Sequence, residues 1–206
     1  MGKVENGING AITGTVGPSV FYKMYGKNYV RALPDEKKVK VKATPARLRQ
    51  QQRLSLVTAF LKPFKDLVKI TFASVTKGRA PYHTAQSLNM KNCIIGDTYP
   101  DQEIDYSKTL LSAGNLELPK QCSVKRKGTG LLFEWDDFDD IGTDTLVVAY
   151  LDHTQSWSKY HFTGIAKYEK SFYWEAHINE EPIRVWMAFR SHNQQDMSNS
   201  VYLGKV

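Results

Sequence analysis

The densest set of potential ligands in this sequence is Asp136-Asp137-Phe138-Asp139-Asp140, followed closely by Asp144. Hard cations such as Ca²⁺ take about six to eight oxygen ligands, and clustered carboxylates supply them. The EF-hand spacing is absent: Phe138 falls where a ligand should stand and Ile141 where the glycine should. The stretch reads as a solvated loop between strands, and no metal site is assigned.

The histidines, His83, His153, His161, His177 and His192, form neither H-x-x-x-H nor H-E-x-x-H. His153 follows Asp152, but no nucleophile accompanies the pair. Cys93 and Cys122 sit in no nucleophile signature and are too few for a disulfide scaffold. They read as two buried free thiols, with pairing as the alternative. Gly7, Gly10, Gly14 and Gly17 are regularly spaced, yet neither dinucleotide nor P-loop fingerprint is present. These glycines fit a bulged or tightly packed strand. No catalytic residue and no cofactor is therefore assigned, and the expectation is that the chain is not an enzyme. A catalytic triad is recognised by geometry, so an unrecognised hydrolase stands as the third reading.

Basic and aromatic residues give the stronger signal. Tyr22, Lys23, Tyr25, Lys27, Tyr29 and Arg31 interleave on one predicted hairpin, and Arg47, Arg49 and Arg53 follow on a predicted helix. Cations neutralise phosphates and aromatic rings stack on bases, so this pattern admits nucleic acid. The other account is a solvated basic surface that docks an acidic protein, with Tyr25 packed on the protein's own core. No helix-turn-helix, RNA-recognition or zinc-finger pattern is present. Lys23, Lys27, Arg31, Arg47, Arg49 and Arg53 are the candidate binding residues.

Charge supports a division of labour along the chain. Residues Met1 to Pro100 carry 17 Lys/Arg against 5 Asp/Glu, a net of +12, whereas Asp101 to Val206 carry 11 against 16, a net of −5. Opposite signs on two halves also fit head-to-tail self-association. No apolar run approaches the roughly 20 residues of a membrane span, and no signal-peptide core opens the chain. The expected setting is cytoplasmic and soluble, with no membrane partner. Gly2 follows Met1, but Asn6 stands where a myristoylation signal wants Ser or Thr.

These residues need elements to hold them. Ser19 to Tyr25 and Tyr29 to Leu33 form the two arms of a hairpin around Gly26-Lys27-Asn28. Pro34 ends it, and Pro34 to Ala43 reads as a polar linker or a lysine-guarded edge strand. Thr44-Pro45 starts a helix, with Leu54, Val57, Phe60, Leu61, Phe64, Leu67 and Val68 on one apolar stripe. Pro63 predicts a kink or two consecutive helices. Another helix spans Pro81 to Ile94 with Ala85, Leu88 and Cys93 inward, closed by Gly96.

After Tyr99-Pro100, strand-like runs recur: Thr109 to Ser112, Cys122 to Lys125, Leu131 to Trp135, Thr145 to Leu151, Tyr160 to Thr163, Ser171 to Ala176, Ile183 to Arg190 and Ser200 to Leu203. Turn residues Lys127-Gly128, Gly142, Asn179-Glu180 and His192-Asn193 separate most of them. This density of short strands predicts a β-sandwich with Trp135 and Trp186 in its core.

Leu131-Leu132-Phe133-Glu134-Trp135 resembles the second strand of fibronectin type III modules, Thr145 to Tyr150 their third, Arg184 to Phe189 the penultimate and Ser198 to Leu203 the last. The chain as a whole resembles an uncharacterised bacterial family of domains of unknown function. The Gly-spaced start through Tyr29-Val30-Arg31, Thr44-Pro45 with Arg53, Gly96 with Tyr99-Pro100 and Ile104 to Ser107, and Ser198 to Gly204 carry that likeness. A fibronectin-like module implies binding or spacing by analogy. No tyrosine-corner residue stands near Ile183 to Trp186.

The expectation is an α+β protein. A basic N-terminal β-hairpin plus helices (1–106) precedes a C-terminal fibronectin type III-like β-sandwich (107–206). Its expected role is non-catalytic binding or assembly, through a protein partner or self-association. Nucleic-acid binding through the basic N-terminal half is the alternative.

Overall fold

The computed structural model describes residues 12–34, 42–136, 143–178 and 182–206, together with the backbone of residues 2–3. Among these the protein is mixed α+β, with three helices and several antiparallel sheets, and it contains more strand than helix. The chain separates into two compact units, Met1–Ala43 and Thr44–Val206.

The first unit is a four-stranded antiparallel sheet in the order β1-β4-β3-β2. Its strands are β1 (Gly2–Lys3), β2 (Gly14–Val16), β3 (Ser19–Met24) and β4 (Lys27–Ala32). Met24 pairs with Lys27, so the hairpin turn is Tyr25-Gly26 rather than Gly26-Lys27-Asn28. Both turn residues have positive φ, +51° and +78°, the requirement of a type I′ turn whose twist matches the strands. Gly26 meets it without strain. Tyr25 is 48% exposed at the tip, so it does not stack on a core as expected. Gly7, Gly10 and most of the predicted linker (35–41) lie outside the described residues.

The second unit opens with helix α1 (Pro45–Leu61). Thr44 caps it, its hydroxyl accepting from the Arg47 amide at 3.3 Å, and Pro45 occupies a first-turn position where no amide is needed. Pro63 separates α1 from α2 (Lys65–Thr71), and α3 (Pro81–Asn92) follows. The predicted stripe is buried from Val57 to Val68, but Leu54 is 44% exposed and lies off it.

Seven strands make the remaining large sheets: β7 (Cys122–Lys127), β8 (Gly130–Trp135), β9 (Thr145–Leu151), β10 (Ser158–Ala166), β11 (Ser171–Trp174), β12 (Arg184–Arg190) and β13 (Val201–Lys205). One sheet has the order β11-β8-β7 and the other β10-β9-β12-β13, all antiparallel. The short pair β5 (Ile94–Ile95) and β6 (Glu103–Ile104) closes a loop after α3. Gly96 stands at its entry with φ +86°, and a side chain there would meet the Asp101 carbonyl 2.5 Å away.

β9 is buried almost end to end because both faces of its sheet are covered. Leu146, Val148 and Tyr150 share a core with Leu131, Phe133 and Trp135 of β8. Val147, Ala149 and Leu151 point the other way, into a core with Phe60, Phe64 and Leu67 of the helices. β12 divides likewise, Val185, Met187 and Phe189 on the first side, Trp186 and Ala188 on the second. Trp186 is fully buried, yet against the helices and not between the two sheets as expected. Tyr106 packs against this helix-and-sheet core, and the chain's two compact units meet after Ala43 in sequence.

Thr109 to Ser112 is not a strand. Side chains supply the hydrogen bonds a neighbouring strand would have given. Asn89 of α3 accepts from the Leu110 amide at 2.8 Å and donates to its carbonyl at 2.9 Å. The Thr71 hydroxyl donates to the Leu111 carbonyl at 2.6 Å, and the Ser200 hydroxyl accepts from the Leu111 amide at 2.7 Å. Buried backbone groups need partners, and here α2, α3 and the approach to β13 provide them.

Candidate functional site

Alternation along the hairpin decides where the N-terminal cations stand. Cross-strand partners share a face, so Tyr22, paired with Tyr29, lies on the same face as Val20, Met24, Lys27 and Arg31. Lys23, opposite Asn28, lies on the other face with Phe21 and Val30. The structure thus sets Lys27 and Arg31 on one face, four residues apart along β4, and Lys23 on the other. The Tyr22 and Tyr29 rings stack on each other, with centroids 5.6 Å apart and planes at 21°. No described residue of this unit reaches the buried class, and Val16 (58%), Met24 (39%) and Leu33 (50%) are exposed.

The helix arginines have local work. The Arg53 guanidinium donates to the Met90 carbonyl at 2.6 Å, in the last turn of α3. A helix end leaves carbonyls without partners and carries partial negative charge, so a cation there satisfies both needs. One turn earlier, Arg49 donates to the Asp97 carbonyl at 3.2 Å, and Gln52 donates to the Pro100 carbonyl. Arg49 and Gln52 tether the loop that follows α3, and Arg53 holds the end of the helix itself. Arg47 is exposed. The sequence placed Arg47, Arg49 and Arg53 on a helix, but nothing in it placed the carbonyls that Arg49 and Arg53 meet.

Asp137 to Asp140 lie outside the described residues. Beside them in sequence, the Asp136 carboxylate accepts from the Gln121 amide at 2.8 Å, and its own amide donates to the Gln121 carbonyl at 3.0 Å. Among the described residues no group of three or more His, Cys, Asp or Glu could hold a metal ion. Asp152 builds a turn: its carboxylate accepts from the amides of Thr154 and Trp157 and from the Thr154 hydroxyl. Burial alone would raise its pKa, but these hydrogen bonds, that of the Thr154 hydroxyl foremost, hold it below the usual range.

Both thiols are unpaired with each other. Burial pushes each up to about 11, so at neutral pH they are protonated and poor nucleophiles. Cys122 lines a cleft of about 620 Å³ with Glu134, Asp136 and Tyr202.

A second feature escaped the sequence reading. His161 of β10 lies against Phe172 and Trp174 of β11, with ring centroids 6.1 and 5.9 Å away. Trp157 (45%), Tyr160 (37%), Tyr168 (51%) and Tyr173 (45%) are exposed on β10, β11 and the turns beside them. Only the closeness of these aromatics in sequence hinted at it.

The residues that carry the whole-chain likeness have structural duties. The Ser198 hydroxyl accepts from the Phe189 amide at 2.8 Å, and Asn199 accepts from the Gly114 amide at 3.3 Å. Residues 10–204 match a family described as "Family of unknown function (DUF6266)". The chain belongs to this family. The matched span enters the N-terminal sheet before β2 and ends at Gly204 in β13, so the family's length includes both units. No curated protein matches the chain. No helix among the described residues is long and apolar enough to cross a membrane.

Proposed function

We propose that this chain is a non-catalytic binding or assembly protein in which a fibronectin-like sandwich, backed by helices, carries a basic sheet that docks an acidic protein surface. The sandwich reading is supported by the strand allocation. Of the seven strands from β7 onward, the first, second and fifth form one sheet and the others form the second. Successive strands therefore cross between sheets, the Greek-key habit of immunoglobulin-like modules. Trp135 on the second of these strands packs edge-on to Phe189, with centroids 5.7 Å apart.

One observation carries the binding role. The N-terminal sheet holds Val20, Phe21, Tyr22, Tyr29 and Val30 only half-buried, and none of its described residues is buried. A small sheet needs an apolar face covered to be stable, and a face edged by Lys27 and Arg31 favours an acidic cover. An acidic protein is favoured over nucleic acid because Tyr22 and Tyr29 stack on each other, and because Arg49 and Arg53 are committed to carbonyls of their own chain. Nucleic acid is the second reading, favoured by the placement of Lys27 and Arg31 beside those tyrosines.

The test is a salt-dependent titration with poly-glutamate. Lys27→Glu with Arg31→Glu, on one face, should abolish binding, and Lys23→Glu, on the other, should leave it within about twofold. Equal losses in both variants would refute the assignment of that face.

A further inference from the structure

Among the described residues the two large sheets of the second unit present four edges, and β10 is the longest of these edge strands. β7 ends in Lys125, Arg126 and Lys127, charges of the kind that discourage pairing along an edge. β11 is only four residues long. The approach to β13 is occupied by the preceding segment, where the Ser200 amide donates to the Ser112 carbonyl at 3.2 Å and the Leu116 amide to the Met197 carbonyl at 3.2 Å. β10 differs. It has nine residues, and from Ser158 to Phe162 it pairs regularly with β9 on one side alone. Among the described residues nothing hydrogen-bonds to the backbone of its other side. Its bulge falls after Phe162, between that residue and Ala166, so it leaves this run straight.

We infer that the Ser158–Phe162 edge pairs antiparallel with the same edge of a second copy about a two-fold axis, making one continuous eight-stranded sheet. An open edge takes an extended strand whose charges do not oppose its own, and β10 itself is one: Ser-Lys-Tyr-His-Phe carries a single permanent charge. Pairing centred on Tyr160 sets Lys159 opposite the partner copy's His161 and brings the two Tyr160 rings side by side, so no two lysines oppose each other. Trp157 and Tyr160, both exposed in the single chain, then gain cover, in keeping with the enrichment of Trp and Tyr at interfaces. β10 belongs to the second unit and the basic sheet to the first, and the inference does not rest on that sheet's role.

Sedimentation of the full chain over a concentration series tests it. The mass should double from 23.4 kDa by about 100 μM, a concentration that saturates a micromolar interface. Tyr160→Lys alone and Tyr160→Glu alone should each stay monomeric with the melting temperature of dilute wild type, and an equal mixture should restore the dimer. Should either variant fold poorly, hydrogen exchange of wild-type Ser158–Phe162 amides decides: exchange should slow roughly tenfold or more between dilute and concentrated protein. A wild-type chain that stays monomeric, a mixture that does not re-associate, or exchange independent of concentration each overturns the pairing. So does protection that appears only on adding a nine-residue Val-Thr repeat peptide, which would assign the edge to a foreign strand.

Discussion

The indole of Trp186 lies 5.7 Å, centroid to centroid, from the ring of Phe60, joining strand β12 to helix α1 across 126 positions of sequence. Its Nε1–H donates to the Thr109 hydroxyl at 3.0 Å, and Phe64, Tyr106 and Tyr202 complete the cluster. Trp186→Ala should therefore cost about 3–5 kcal/mol, since a buried aromatic leaves a large cavity. Phe60→Ala should couple to it by about 0.5–1.5 kcal/mol in a double-mutant cycle read by urea denaturation. Additive losses would mean that helix and sheet do not share a core.

Trp135 tests the other side of the same sheet. It is 5% exposed, packs on Phe189, and donates from Nε1 to the Lys167 carbonyl at 2.6 Å. Trp135→Ala should lower stability by about 3–5 kcal/mol. An unchanged urea midpoint would contradict the shared core of β8, β9 and β12.

Arg53 and Arg47 separate structure from surface. Arg53→Ala removes the charged donor at the end of α3 and should cost about 1.5–3 kcal/mol. Arg47→Ala, at an exposed position, should change stability by less than about 0.5 kcal/mol. The reverse order would show that Arg53 is not the tether of that helix end.

These contrasts mark what the residues alone disclosed. Periodicity exposed the helices and most strands, because Val57 through Val68 and the runs around Leu131, Leu146 and Val185 must be buried. It could not say which core each side of a doubly covered strand enters, so Trp186 was assigned to the wrong face. Thr109 to Ser112 reads as a strand because it is a short apolar run, and the partners that replace a ladder, Asn89, Thr71 and Ser200, are distant in sequence. Tyr25 seemed a core aromatic, but two-residue turn geometry put it at a tip. The cations were visible, and the carbonyls that engage Arg49 and Arg53 were not.

The thiols give a pH-dependent outcome. A free thiol ionises near pH 8.5, and both folded thiols are pushed up to about 11 by burial. Because the folded values are raised, this contribution to stability is fully present below about pH 8.5 and is lost as pH rises toward 11. At pH 8 the buried Cys93 of the folded protein should resist a thiol-labelling reagent, the half-buried Cys122 should label slowly, and both should label once the chain is unfolded. Rapid labelling of Cys93 in the folded chain would contradict its burial.

For the acidic loop, whose Asp137 to Asp140 lie outside the described residues, the ligand spacing argues against a tight calcium site. Calorimetric titration should show no heat from a micromolar Ca²⁺ site. A stoichiometric signal lost in Asp137→Ala and Asp139→Ala would reverse that conclusion.

The central claim, that the basic N-terminal sheet docks protein and does not read nucleic acid, is tested most directly by fluorescence anisotropy with a labelled single-stranded RNA or DNA at physiological salt. The account predicts sequence-indifferent binding with Kd of about 10⁻⁴ to 10⁻⁶ M, weakening steeply with salt, reduced by Lys23→Glu with Arg31→Glu and little changed by Tyr25→Ala or Tyr29→Ala. Sub-micromolar affinity abolished by Tyr29→Ala, with the melting curve intact, would contradict it.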